Sequence, residues 1–255
     1  MKSRLVWLAA VTVLSMVVSA APVTVTFLGH SCFTVREEGG PVVMLDPYGS
    51  YVPYPALPRA ADVVLITHGH IDHCPFCFKE TDRVTGDPVI VWPFDSTGRV
   101  REGNWRIVEG LSVRFIEATH VTLSGGGQGN VCLFAFEIGG IRFAHLGDLG
   151  RPLTDAQIEA LGPVEVLFIP VGGAFTIDAR EAITVIESLP TVRVILPMHF
   201  RVEGITPWAE IGPLSDFLEV VPRSWTVLQA EDDHVVLTDQ DLPAAPTVWV
   251  VPHAR

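Results

Sequence analysis

Thr67-His68-Gly69-His70-Ile71-Asp72-His73 follows directly on the apolar run Val63-Val64-Leu65-Ile66, and its reading decides the fold. Consecutive apolar, mostly β-branched residues predict a short buried strand. A strand that stops in a polar loop delivers that loop's side chains to the edge of its sheet. Here the loop offers three imidazoles and one carboxylate within six residues. Imidazole and carboxylate together suit a borderline divalent ion such as zinc, and also manganese or iron. The competing reading is a polar turn rich in histidine by chance, but the segment is too dense in donors and too short to be core. Along an extended chain His68 and His70 project to one side. Asp72 and His73 then turn toward a second position, so one segment can serve two ions.

His68-x-His70-x-Asp72-His73 resembles the metal-binding motif of the metallo-β-lactamase superfamily. The resemblance implies further ligands on later strand ends, and the chain supplies them in order: His120 after Val113-Arg114-Phe115-Ile116-Glu117-Ala118-Thr119, Asp148 after Ile141-Arg142-Phe143-Ala144-His145-Leu146-Gly147, and His199 after Val194-Ile195-Leu196-Pro197-Met198. It runs over about residues 23–225 and is nearest to the branch of ascorbate-6-phosphate lactonases and related metal-dependent hydrolases. The matching phrases are Leu28-Gly29-His30-Ser31, Asp46-Pro47, Pro170-Val171-Gly172-Gly173-Ala174-Phe175-Thr176 and Pro197-Met198-His199-Phe200. What it implies is a four-layer αββα sandwich of mixed α/β class. His68, His70 and His120 would hold one ion, Asp72, His73 and His199 the other, with Asp148 bridging. Asp72 and Asp148 are the ligands expected to act in catalysis. Two ions roughly 3.5–4 Å apart can share a hydroxide and polarise the bond under attack, with no serine or cysteine nucleophile. His30 and Asp46 are expected beside the metals rather than on them; a carboxylate that accepts a hydrogen bond from an imidazole fixes its tautomer. His145 lies three residues before Asp148, on the opposite face by period-two alternation, and is read as core.

The chain has 255 residues with apolar content near half and a formal charge of −12. That charge argues against a nucleic-acid surface and an anionic membrane face. Residues 1–21 read as a secretory signal peptide: Lys2 and Arg4 precede an apolar run over residues 5–18, and Val18-Ser19-Ala20 suits cleavage before Ala21. Its removal takes away two positive charges, from −12 to −14. An uncleaved anchor is the competing reading. The expectation is an exported protein, periplasmic or extracellular and free of the membrane after cleavage, with a hydrolase domain over residues 22–238 and an appended tail over residues 239–255. Its partner is a small-molecule substrate; homo-oligomerisation is left open.

Along the chain, Val23-Thr24-Val25-Thr26-Phe27-Leu28 and Val42-Val43-Met44-Leu45 predict strands, with a hairpin loop at Glu37-Glu38-Gly39-Gly40. Residues 48–58, crowded with proline and tyrosine, predict an irregular connection. Residues 84–108 read as surface around one strand, Val89-Ile90-Val91-Trp92. Ser124-Gly125-Gly126-Gly127-Gln128-Gly129-Asn130 predicts a mobile loop over the site. Thr154-Asp155-Ala156-Gln157 has capping-box spacing and opens a helix ending near Gly162; Asp178-Ala179-Arg180-Glu181 opens a second. Strands are expected over residues 164–169, 192–196, 225–229 and 234–237, and a last helix over residues 208–220, broken at Gly212-Pro213. Cys74-Pro75-Phe76-Cys77 is a disulfide, as export permits, or buried small residues, ahead of a second metal site, which would need another such pair; Cys32 and Cys132 are isolated.

The substrate is where the pattern thins. The nearest branch implies a lactone, a cyclic ester or a phosphodiester. Arg201 could meet an anionic group and Thr176 could hydrogen-bond substrate; a structural role stands beside each. Two other readings compete: a non-catalytic exported metal-binding protein, and a di-iron redox protein of the same fold. His234 and His253 lie outside every ligand phrase.

Overall fold

The structure is a computed structural model that describes residues 21–121 and 128–255. Residues 1–20, most of the predicted signal peptide, and residues 122–127, which include part of the predicted glycine loop, lie outside the described residues. Two sheets face each other. The first runs β15-β1-β2-β3-β5-β7, built from β1 (Val23–Gly29), β2 (Cys32–Glu37), β3 (Val43–Leu45), β5 (Val63–Leu65), β7 (Val89–Val91) and β15 (His234–Leu237). The second runs β14-β16-β13-β12-β11-β10-β9-β8, built from β8 (Gly103–Val108), β9 (Leu111–Val121), β10 (Gln128–Ile138), β11 (Ile141–His145), β12 (Val166–Pro170), β13 (Val194–Met198), β14 (Thr226–Gln229) and β16 (Thr247–Val250). A short pair, β4 (Arg59–Ala60) and β6 (Val84–Thr85), stands apart. The helices are α1 (Asp155–Leu161), α2 (Ala179–Glu187) and α3 (Leu214–Val220).

Alternation along the strands sorts the core. Val43, Leu45, Val63 and Leu65 join Phe33, Phe134, Phe143 and Phe168 in one cluster, and Phe33 meets Phe168 across the sheets with ring centres 4.6 Å apart. Leu161, Ala182, Val185, Ile186 and Phe217 bring the three helices into that cluster. Met44 and Val64, one residue out of phase, belong to a second cluster with Tyr48, Val52, Tyr54, Leu57 and Cys74. The first sheet's outer face is therefore covered by the irregular segment predicted at residues 48–58, together with two 3-10 turns, Pro75–Phe78 and Thr81–Arg83.

Helix starts follow the sequence closely. Thr154 and Asp178 each accept from the backbone three residues on, while Gln157 and Glu181 reach back to the cap, so both helices begin in complete capping boxes.

Several boundaries are corrected. Residues 239–255 are not an appended tail: β16 lies between β13 and β14 and pairs in parallel with both. Residues 84–108 contain, besides β7, the short β6 and the six-residue β8, which is largely exposed as the edge of a sheet allows. The last helix is confined to α3, starting after Pro213, because proline fixes the entry and residues 208–212 form turns. The end of the predicted loop, Gln128-Gly129-Asn130, is strand, paired with Val121, His120 and Thr119. Cys74 and Cys77 are joined in a disulfide, and Cys32 and Cys132 are buried and free.

Candidate metal centre

Strand direction assembles the site. In the first sheet β1, β3 and β5 run the same way, and in the second β9, β11 and β13 do. Their carboxyl ends meet at one rim, the usual place for a ligand in an α/β sheet. His30 follows β1, Asp46 follows β3, the 67–73 loop follows β5, His120 sits near the end of β9, Asp148 follows β11 and His199 follows β13. His30, Asp46 and His199 have φ of 55°, 42° and 50°, a left-handed conformation that side chains disfavour. Each such residue costs about 1–3 kcal/mol and persists only where its surroundings enforce it. Here the enforcement is visible: His199 N donates to His30 O at 2.9 Å, and Asp46 N donates to Leu65 O at 3.0 Å. Gly172 leaves room for the turn, since a Cβ there would fall 2.2 Å from His199 O.

Seven predicted ligands come together in two sets. His68, His70, His120 and Asp148 can each offer a donor atom within 4.8 Å of the others, and His30, Asp72, His73 and His199 form a similar group. In the first set His68 Nε2 and His120 Nε2 lie 3.0 and 3.1 Å from His70 Nδ1. In the second, Asp72 Oδ2 is 3.5 Å from His73 Nε2 and 4.0 Å from His199 Nε2. Asp148 faces both: its Oδ2 is 3.6 Å from His68 Nε2, 3.7 Å from His120 Nε2 and 3.4 Å from His199 Nε2, and its Oδ1 is 3.1 Å from His73 Nε2. His73 Nε2 and Asp148 Oδ1 are fully buried, and although they face each other at 3.1 Å neither makes a hydrogen bond among the described residues. Orphaned polar atoms at this depth cost about 1–3 kcal/mol each. Their convergence on shared points is what bound cations would satisfy, so the residues fit a metal site.

Tautomers follow from the partners. Asp46 Oδ2 accepts from His73 Nδ1 at 2.8 Å, which leaves the His73 Nε2 lone pair directed inward. Thr67 donates to Asp46 twice, from its backbone N–H at 2.7 Å and its hydroxyl at 2.6 Å. With its proton committed, Thr67 Oγ1 can only accept from His68 Nδ1, 3.0 Å away, and His68 Nε2 is also left bare. One buried carboxylate thus orients a ligand in each set. Replacing Asp46 with alanine should lower divalent-metal affinity by about 10–100-fold, measured by competition with a chelator, while Asp46→Asn should recover only part of it, because with its oxygen at Oδ2's position its NH2 group faces the Thr67 N–H, donor against donor.

The charges are matched to a cation. Burial alone would raise the Asp148 and Asp72 carboxyls, but the surrounding histidines outweigh it and hold both well below the usual carboxylate range. Burial pushes His68 and His120 down. Burial, reinforced by neighbouring His199, lowers His30 to about 4. Burial acts the same way on His73, yet Asp148, Asp72 and Asp46 together raise it well above the ordinary imidazole value, so these carboxylates favour positive charge at His73 Nε2, a proton or the cation that would displace it.

The remaining candidates divide. His30 is closer in than a supporting role requires: its Nε2 lies 3.0 Å from Asp72 Oδ2 and its ring 4.3 Å from that of His199. Thr176 donates its hydroxyl to Ile177 O at 3.1 Å, a contact within its own turn. Arg201 Nη1 is 3.8 Å from Glu203, and its buried Nε has no partner among the described residues. His145 belongs to neither donor group. It joins the sheets instead: Nε2 lies 3.0 Å from Ser31 O, which can only accept, and Nδ1 accepts from Gly147 N at 3.2 Å. Thr67 was missed as a functional residue, although it stands at the head of the motif.

A family model described as a beta-lactamase superfamily domain matches residues 24–199. The chain belongs to the metallo-β-lactamase superfamily. Within it, the chain falls among the metal-dependent hydrolases. It is 31% identical over 192 residues to a protein of Korarchaeum cryptofilum named UPF0173 metal-dependent hydrolase, covering 70% of this chain and 83% of that one. A Carboxydothermus hydrogenoformans protein of the same name is 28% identical over 213 residues, 75% of this chain and 90% of that one. Among solved structures, a Thermotoga maritima protein assigned as a zinc-dependent hydrolase of the metallo-β-lactamase superfamily superposes with a TM-score of 0.68 at 29% identity, covering 91% of this chain and all of that one.

Proposed function

We propose that this superfamily member is an exported hydrolase that works with two divalent ions, zinc or manganese, on a lactone, ester or phosphodiester bond of a small molecule. The observation that carries the reading is the position of Asp148, one buried carboxylate facing histidines of both donor sets at 3.1–3.7 Å. Divalent ions held there supply Lewis acidity and bring the pKa of water down toward about 7. The protein's part is to hold and orient. Asp148 joins the two sets, and Asp46 keeps His68 and His73 in the ligating tautomer. Asp72, held ionised by the histidines around it, would orient an attacking water by accepting a hydrogen bond from it. Cys32 and Cys132 are buried, and burial raises both thiols far above neutrality, so neither is a nucleophile.

Metal-loaded protein screened against generic esters, lactones and phosphodiesters should turn over one class, with the rate lost on chelation and restored by metal. Full loading without turnover of any class would favour a non-catalytic metal-binding protein. Export is supported by the N-terminal charge pattern and by the Cys74–Cys77 disulfide, a bond that persists in oxidising compartments. Mass spectrometry of protein recovered from outside the cytoplasm should find a new N-terminus near Ala21; an intact Met1 would reject cleavage.

A further inference from the structure

Three aromatic side chains from three different loops gather on the His30 side of the centre, and nothing in the chemistry above uses them. The Trp208 ring centre lies 5.8 Å from that of His30, 5.7 Å from Tyr51 and 6.3 Å from Phe175. His30 in turn touches Asp72 and stacks near His199. Trp208 is therefore one ring removed from the second donor set.

Packing does not account for the group. Tyr51 is 57% exposed, and neither it nor Phe175 belongs to either hydrophobic cluster; Trp208 only borders one. An aromatic ring left in water adds little to stability. Yet the turn that presents Tyr51 is firmly held. Gly49 N donates to Ile71 O at 2.7 Å, within the ligand loop itself, and Ser50 donates to Glu80 from its N–H at 2.6 Å and its hydroxyl at 2.9 Å. The next residue, Val52, is fully buried. Phe175 follows Ala174, whose φ of 62° marks a turn the surroundings enforce. Rigid turns that hold one exposed and two half-buried aromatics around a polar centre have the composition of a ligand pocket, apolar walls with a few convergent polar groups. Aromatic faces prefer offset or edge contacts with another ring, at centre distances of about 4.5–7 Å. None of the three side chains carries a charge, so the wall they form suits an uncharged ring.

We propose that Tyr51, Phe175 and Trp208 form an aryl-binding subsite, so that the substrate is a neutral ester or lactone with an aromatic ring beside the scissile carbonyl. This rests on the hydrolase reading and narrows it. The test compares dihydrocoumarin with δ-valerolactone, six-membered lactones with and without a fused benzene ring, on zinc-loaded protein. It also measures calorimetric binding of the ring-opened products, 3-(2-hydroxyphenyl)propanoate and 5-hydroxypentanoate. The ratio of kcat/KM for the aryl over the alkyl lactone should fall about tenfold in Trp208→Ala, and Trp208→Phe should recover most of it. Aryl product should bind the parent protein about tenfold more tightly than alkyl product, and Trp208→Ala should erase that preference. Metal content and thermal transition of each variant establish that it is folded. If neither lactone is turned over but the aryl preference in binding is present and depends on Trp208, the subsite stands and the hydrolase reading fails for these substrates. Equal loss for both lactones, or equal binding of both products by the parent protein, would overturn the subsite.

Discussion

Asp148→Ala protein, purified without chelator, should retain less than one divalent ion per chain and lose hydrolysis by at least about 100-fold, beyond the loss expected from removing an outer hydrogen-bond partner. The argument is electrostatic and geometric. Asp148 faces histidines of both donor sets at 3.1–3.7 Å, and it is buried. Removing it takes a buried negative charge from between the two donor sets and leaves His73 Nε2 and His199 Nε2 facing a gap. Asp72→Ala and His199→Ala act on one set, so they should release chiefly the second ion and leave the first partly bound. His234→Ala is the control: His234 sits on β15, pairs with Asp233 at 3.0 Å and belongs to neither donor group. Elemental analysis beside the best rate found in the substrate screen checks all four. A fully loaded and active Asp148→Ala protein would mean that the bridge is wrongly assigned.

How much of this could be read from residues alone depends on the distance over which each contact forms. The ligand loop was legible because strand, ligands and spacing lie within eleven consecutive residues, 63–73. The helix starts were legible because a capping box closes over four. His120, Asp148 and His199 were found through the order of family phrases, since nothing local separates them from other histidines and aspartates at strand ends. Thr67 illustrates the limit. Its role depends on Asp46, 21 residues earlier, and on the parallel register Leu45↔Leu65 that brings β3 and β5 together. Local composition carries no record of that register. His145 was correctly placed in the interior by alternation, but its bridge to Ser31 spans 114 residues and appears only when the two sheets face each other. The aromatic group is a third case: Tyr51, Phe175 and Trp208 lie on segments with no pattern in common.

The C-terminal segment is where local signals misled most, and it gives the second large effect. Deleting residues 246–255 should lower the thermal transition by about 10–20 °C or leave the protein insoluble. Residues 239–255 contain three prolines and few apolar residues before Thr247, and so read as a tail. In the structure Thr247–Val250 is an interior strand. Val248 is fully buried, paired with Ile195 on one side and Val227 on the other. Burying such a side chain contributes roughly 1.5–3 kcal/mol. The deletion also strips backbone partners: Thr247 N from Arg193 O, Ala230 N from Val250 O and Ala254 N from Phe27 O, each at 2.9 Å. Strand β14 has exposed side chains and pairs only with β16 among the described residues, so it has nothing to hold it once that neighbour is gone. Together these losses reach about 5 kcal/mol, a large part of the 5–15 kcal/mol by which folded domains exceed their unfolded states; at about 2–4 °C per kcal/mol for a chain of this size, the shift follows. Val248→Ala should give a smaller drop in the same direction, by losing the side-chain contribution alone. Since β13 carries His199 at its end and β16 is its neighbour, both variants should also hold the second ion less tightly. An unchanged thermal transition in the deletion would show that the strand is dispensable to the sheet.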